Sequence, residues 1–153
     1  MEKRFHYALL DRAPDPVPEH SWHIREAIPS DAGRIYRMRQ EIWEFGPPMP
    51  LKDMHRMLAA GENHTFFVAD ERGHVMASAT LTARSAYGAV VVSVMTHPAH
   101  RGKGLAAALT CHISKRVTDN GGKLVLFYDN PVAGHIYQKL GYRTDGQWRF
   151  LYL

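Results

Sequence analysis

Residues 89–96, AVVVSVMT, form a nearly continuous apolar run that leads into HPAHRGKGLA (97–106). A run of this kind suits a central strand buried on both faces. Leu105, Leu109, Ile113 and Val117 then recur every four residues, the stripe of a helix lying on a sheet, until Asn120-Gly121-Gly122 ends it. A second buried run, KLVLFY (123–128), follows. Strand, glycine-rich turn, helix and strand make one β-α-β crossover, which joins parallel strands. The rest of the chain must be arranged around that unit.

The remaining periodicities do not repeat it. HTFFVAD and VMASATLTA look like strands on either side of ERGH, and the second alternates Val75, Ala77, Ala79 and Leu81 against Met76, Ser78, Thr80 and Thr82. Pro29, Ser30 and Asp31 open a helix in which Ile35, Met38, Ile42 and Phe45 recur at three- and four-residue steps. GPPMP (46–50) stops it, and Leu51 to Ala60 suits a second helix before Gly61. SWHIREAI reads as a short strand ahead of both. Downstream, residues 131–140 suit a helix, and YRTDGQWRFLYL reads as a hairpin turning at Asp145-Gly146. Residues 1–20, with Pro14, Pro16 and Pro18 alternating, read as an extended arm outside a domain at 21–153. The order is β-α-α-β-β-β-α-β-α-β-β. It predicts an α+β protein with a mixed, mostly antiparallel sheet, about four helices and a C-terminal β-hairpin.

Composition excludes several classes. With 153 residues, 45% of them hydrophobic and 22% charged, the chain has the balance of one globular domain. A net charge of +4, scattered without long runs, suits a polyanionic ligand and argues against nucleic acid. The single cysteine, Cys111, rules out a disulfide framework and points to a reducing cytoplasm, with Cys111 itself a core or boundary residue. MEKRFHYALLDR has no leader-like apolar segment, and no stretch is long enough to span a membrane. The ten histidines form no H-x-x-x-H pair and no Cys-x-x-Cys exists, so no metal site is expected.

The glycine turn admits three readings. A mononucleotide P-loop needs Ser or Thr after Gly-Lys, and Gly104 stands there instead. Gly102-x-Gly104-x-x-Ala107 matches the dinucleotide fingerprint, with Asp129 about where a ribose-binding acid belongs. Against it, Pro98-Ala99-His100-Arg101 separates strand from glycine, and too little chain follows for the rest of a parallel nucleotide-binding sheet. The third reading takes in residues 92–142. Arg101, Gly104 and Ala106 satisfy R/Q-x-x-G-x-G/A. Asn130, Ala133, Tyr137, Gly141 and Tyr142 satisfy N-x-x-A-x-x-x-Y-x-x-x-G-[FY]. In these paired motifs, and in element order from residue 21 onward, the chain resembles the GNAT superfamily of acyl-CoA-dependent N-acyltransferases.

That resemblance implies a GNAT-like fold, acetyl-CoA as cosubstrate and transfer of its acetyl group directly to an amine. Helix starts carry unpaired amides and partial positive charge, so a turn at residues 102–107 suits phosphate. The resemblance assigns Arg101, Gly102, Lys103, Gly104, Leu105, Ala106 and Ala107 to coenzyme binding, with the amides of residues 102–107 on the pyrophosphate. Lys103 reads equally well as a solvated helix-start lysine. The resemblance assigns the backbone of Val94, Met95 and Thr96, with Asn130, to the pantetheine arm, and counts Ala133 and Tyr137 among the coenzyme-binding residues. Tyr137 would be the general acid, and an N–H near Met95 would hold the oxyanion. Asn130 also reads as a simple helix cap, and Tyr137 as a half-buried aromatic.

One departure stands out. Many relatives place a carboxylate on the central strands to take the amine's proton, whereas the aligned positions here hold Val92, Ser93 and Val125. Glu41 and Glu44, or a chain of waters, are the substitutes; both acids also read as solvated helix charges. Trp43 would wall the acceptor pocket or pack in the core. Acidic residues around 41–53 favour a cationic acceptor, and a homodimer stays open. The rival reading is a coenzyme-A-binding sensor or interaction module without turnover.

Overall fold

A computed structural model describes residues 2–151. The strands are β1 (Glu2–Leu10), β2 (Arg25–Glu26), β3 (His64–Ala69), β4 (Val75–Thr82), β5 (Gly88–Thr96), β6 (Lys123–Tyr128) and β7 (Arg143–Leu151). The α-helices are α1 (Ala32–Gln40), α2 (Leu51–Ala60), α3 (Leu105–Thr118) and α4 (Pro131–Lys139). All seven strands form one sheet in the order β2-β3-β4-β5-β6-β1-β7. Its one parallel pair is β5 with β6, as the crossover demands, and every other pair is antiparallel.

The sheet has a core on each face. Alternation along β3 sends Phe66 one way and Phe67 the other. On the Phe66 side Leu105, Leu109 and Ile113 of α3 and Leu140 after α4 pack on Ala77, Ala79, Val91, Leu124 and Leu126. On the Phe67 side Ile35 and Met38 of α1 and Met54 and Leu58 of α2 pack on Val75. Burying these side chains supplies the main favourable term of folding.

Four expectations change. Residues 2–10, read as part of an arm, form a nine-residue strand between β6 and β7, with Ala8 and Leu10 each 1% exposed. Their partners lie more than a hundred residues downstream, so no local pattern could reveal the pairing. The segment after it, residues 11–24, runs outside the sheet, and Cys111 Sγ faces the Asp15 carbonyl at 3.8 Å.

The expected C-terminal hairpin is instead the single strand β7, and β1 takes the place of the second hairpin strand. Tyr7 pairs with Gly146 and Ala8 with Thr144, which leaves Asp145 as the extra residue of a bulge. A Cβ on Gly146 would stand 2.7 Å from the Tyr7 ring. Asp-Gly therefore serves a bulge and a close approach here, two uses of glycine that look the same as a turn in sequence.

The first helix also ends early, at Gln40; beyond it Ile42 still reaches the core, whereas Phe45 is 53% exposed. The SWHIREAI strand shortens to Arg25–Glu26.

Leu10→Ala separates a sheet strand from a loose arm. As a buried strand residue it should cost about 2–4 kcal/mol in urea denaturation; an arm residue would cost less than about 0.5 kcal/mol.

Candidate active site

The site grows from a split in the sheet. Parallel pairing runs from Gly88 opposite Lys123 to Val91 opposite Leu126 and stops there, although β5 continues to Thr96 and β6 to Tyr128. The cause lies in β5. Thr80 pairs with Val92 and Ser78 with Met95, so Ser93 and Val94 together face the single residue Ala79. This is a β-bulge, and Ser93 takes a positive φ of 53° to make it, a conformation that a non-glycine residue adopts at a cost. The bulge shifts the side-chain phase: Val94 packs on the α3 face, and Met95 on the α1–α2 face. It also bends β5 away from β6, so residues 92–96 keep the edge turned toward β6 unpaired by that strand.

At the end of that edge lies the glycine turn. A short 3-10 turn at Pro98–His100, capped by the His97 ring, which accepts from Ala99 N–H at 3.0 Å, reverses the chain. Gly102 and Gly104 follow with φ of 78° and 85°. Those values favour glycine, and a Cβ on Gly102 would meet nothing within 4 Å. Gly104 is the N-cap of α3 and among the described residues no side chain caps the helix, so its first amides stay available. The Trp22 ring lies 3.9 Å from where a Gly104 Cβ would stand and closes the turn from behind. Lys103 Nζ donates to His100 Nδ1 at 3.2 Å. Burial first, then Lys103 and His97, hold the His100 imidazole below its usual pKa. This cradle of open amides and glycine backbone fits a pyrophosphate.

Across the split, Asn130 caps α4: its Oδ1 accepts from Val132 N–H at 2.9 Å. The cap uses the oxygen alone and leaves the Nδ2 donors without a partner among the described residues, so the cap and binding readings coexist. Ala133 packs at the edge of the core. Tyr137 is 7% exposed, with its ring 6.0 Å from Tyr128 and 6.1 Å from Tyr142. Tyr128 is the last residue of β6, beyond the final paired position, which puts Tyr137 beside the split. Among the described residues its hydroxyl has no hydrogen-bond partner, and burial pushes its pKa up to about 12. Tyr142 differs, since its hydroxyl is bonded to Ser114 Oγ at 2.7 Å.

Sequence reading passed over Gly134. A Cβ there would stand 2.4 Å from the Tyr128 ring, so glycine lets α4 settle directly on that ring. Tyr128 is fixed in turn by Thr144 Oγ1 at 2.7 Å. A glycine inside a helix is the only sequence signal of such an approach.

The acids of the α1–α2 connection divide. Glu41 is exposed at the C-cap of α1. Glu44 is not a free base: its carboxylate binds Arg101 Nη1 at 2.5 Å. Its pKa is lowered by that hydrogen bond above all, then by a bond to its own backbone. Arg101 Nε donates to the Thr96 carbonyl at 3.2 Å, which ties the turn to the end of β5. Trp43 is 85% exposed and so belongs to no core. Among the described residues no group of three or more His, Cys, Asp or Glu side chains is placed to hold a metal ion, and no helix is long and apolar enough to cross a membrane.

The acetyltransferase (GNAT) domain family matches residues 62–144, more than half of the 153, and the chain belongs to that family. Solved structures agree on the fold. A putative GNAT-family acetyltransferase from Novosphingobium aromaticivorans superposes with a TM-score of 0.75 at 23% identity, over 97% of this chain and 63% of that one. A Drosophila protein gives 0.73 at 15%, over 97% and 50%. Mutant forms of the spermidine/spermine N-acetyltransferase SpeG from Vibrio cholerae give 0.65 at 20%, over 82% of each chain. The chain thus spans between half and two thirds of the first two structures. No curated protein matches it in sequence.

The raised Tyr137 pKa carries a sign. Its folded value of about 12 exceeds the unfolded value near 10, so the stability from the neutral phenol is complete below pH ~10 and lost as pH rises through about 12. Urea midpoints at pH 8 and 11.5 should differ by an amount worth on the order of 2 kcal/mol, and Tyr137→Phe should lessen the fall. An identical fall in the variant would mean that the phenol is not held neutral by burial.

Proposed function

We propose that the chain transfers an acetyl group from acetyl-CoA to a primary amine in one step through a tetrahedral intermediate. The observation that carries this reading is the early end of the β5–β6 pairing, which leaves a strand edge running toward the glycine turn. A pantetheine arm is an extended chain with amides, and such a chain pairs with a free strand edge as another strand would. The arm lies along Val94, Met95 and Thr96. The Nδ2 of Asn130 donates to one of its carbonyls, and the pyrophosphate rests on the amides of residues 102–107.

The amine nitrogen attacks the thioester carbon, and the carbonyl oxygen takes the charge. A backbone N–H near Met95, at the bulge, stabilises that oxyanion. Collapse of the intermediate breaks the carbon–sulfur bond, and the Tyr137 hydroxyl protonates the departing thiolate. A phenol with a pKa of about 12 is fully protonated at neutral pH. It is also a weak acid, so its hydrogen bond to sulfur strengthens only as negative charge develops there, which favours the transition state over the ground state. Solvent returns the proton to the tyrosinate.

With Val92, Ser93 and Val125 in place of a strand carboxylate, the proton lost by the amine goes to Glu41 or to water. Glu44 serves this role poorly while Arg101 holds it. The missing strand carboxylate also supports the second reading, a coenzyme-binding module without turnover.

A panel of polyamines, aminoglycosides, amino acids, arylalkylamines and peptides with free N-termini, assayed for thiol release from acetyl-CoA, separates the two. An enzyme releases thiol with at least one acceptor, and a binding module with none. For the best acceptor, Tyr137→Phe should lower kcat by on the order of a hundredfold while coenzyme A affinity changes little. Undiminished kcat would remove Tyr137 from the mechanism.

A further inference from the structure

Arg39, near the end of α1, is 8% exposed, and nothing in the transfer chemistry uses it. Its Nη1 donates to the Ile42 carbonyl at 2.8 Å, and its Nη2 donates to the carbonyls of Phe45 and Gly46 at 3.0 Å each. With a longer contact from Nη2 to the Pro47 carbonyl at 3.5 Å, one planar guanidinium gathers four carbonyls from a segment that has no helix or strand of its own. Apart from Ile42, the segment buries little apolar surface: Trp43 and Phe45 are 85% and 53% exposed. Its shape therefore rests on Arg39, whose forked donors a lysine could not reproduce.

Glu44 lies between those carbonyls in sequence, and its carboxylate reaches Arg101. Two of the three guanidinium nitrogens of Arg101 are occupied, Nε by the Thr96 carbonyl and Nη1 by Glu44. The third, Nη2, donates no hydrogen bond among the described residues. Beside it in the chain stands Gly102, with open space where a Cβ would be. Both side chains of the pair are about half exposed, 45% and 54%, so its direct contribution to stability is small and its effect is chiefly one of orientation.

We propose that Arg39 and Glu44 are positioning residues for the coenzyme's pyrophosphate. Arg39 shapes the 42–46 loop, the loop places Glu44, and Glu44 with the Thr96 carbonyl aims the free N–H groups of Arg101 at the phosphates. This rests on the acetyl-CoA reading above and adds to it a route by which a residue on α1, outside the binding turn, governs coenzyme affinity. It also gives Glu44 a part in coenzyme binding in place of base catalysis.

Calorimetric titration with coenzyme A, and competition with pantetheine, which lacks the pyrophosphate, tests the route. Arg39→Met should weaken coenzyme A binding about five- to tenfold and leave pantetheine binding unchanged. Arg39→Lys should recover only part of the loss. Glu44→Ala should weaken coenzyme A about two- to fivefold, and Arg39→Met with Glu44→Ala should bind no more weakly than Arg39→Met alone, because both act on one path. A folded Arg39→Met protein with wild-type affinity overturns the proposal. So does an equal loss for pantetheine, which marks general damage, and so do additive losses. Should Arg39→Met not fold, Glu44→Ala decides, and unchanged affinity there overturns it. A wild-type chain that binds no coenzyme A overturns the coenzyme reading itself, and this proposal with it.

Discussion

The structure depends on a pairing that stops. β5 and β6 are joined through Val91 and Leu126 and no further, because two residues of β5, Ser93 and Val94, face one residue of β4. A bulge bends the strand that carries it, and the bend frees a polar edge in the middle of an otherwise continuous sheet. Residues 92–96 are half-buried or exposed, so water satisfies that edge until an extended chain pairs with it. A ligand shaped like a strand is the proposed occupant. The positive φ at Ser93 belongs to the same account: strain is tolerated where it creates the opening.

Everything around the opening keeps its walls in place. Gly134 allows α4 to rest on the Tyr128 ring, and Tyr128 bonds Thr144 on β7. The wall opposite β5 is thereby tied to the far side of the sheet. β1 lies between β6 and β7 and makes this possible, with Tyr7 seated over Gly146 at the bulge beside it. The segment that resembles an arm is therefore part of what holds Tyr137 beside the split. Close packing gives little slack along such a chain of contacts.

Charge is distributed with the same economy. Tyr137 is kept neutral by burial, and Glu44 is kept ionised chiefly by Arg101. The α3 start is left without a side-chain cap while α4 is capped by Asn130, so the open amides lie at the turn that the family motif marks. One helix start keeps its amides open and the other is satisfied internally, a contrast that amino-acid composition or net charge does not convey.

Much of this was legible in the chain, and the division follows sequence distance. Local pattern determined the crossover, the four helices, the strands from residue 64 to 128 and the glycine turn, because each is a contact or period within a few residues. The pattern of residues 131–140 put Tyr137 on a helix that Asn130 caps, and the resemblance gave both residues their roles. Only tertiary structure decided that residues 2–10 are a sheet strand, that Asp145-Gly146 makes a bulge and that Gly134 meets Tyr128. It alone decided that Glu44 is bound to Arg101. Each of these joins residues far apart in the chain, or uses glycine for a close approach that looks like a turn or a defect until its neighbour is known. A sequence records which groups are present and their local rhythm; which distant group stands opposite is settled only when the sheet is assembled.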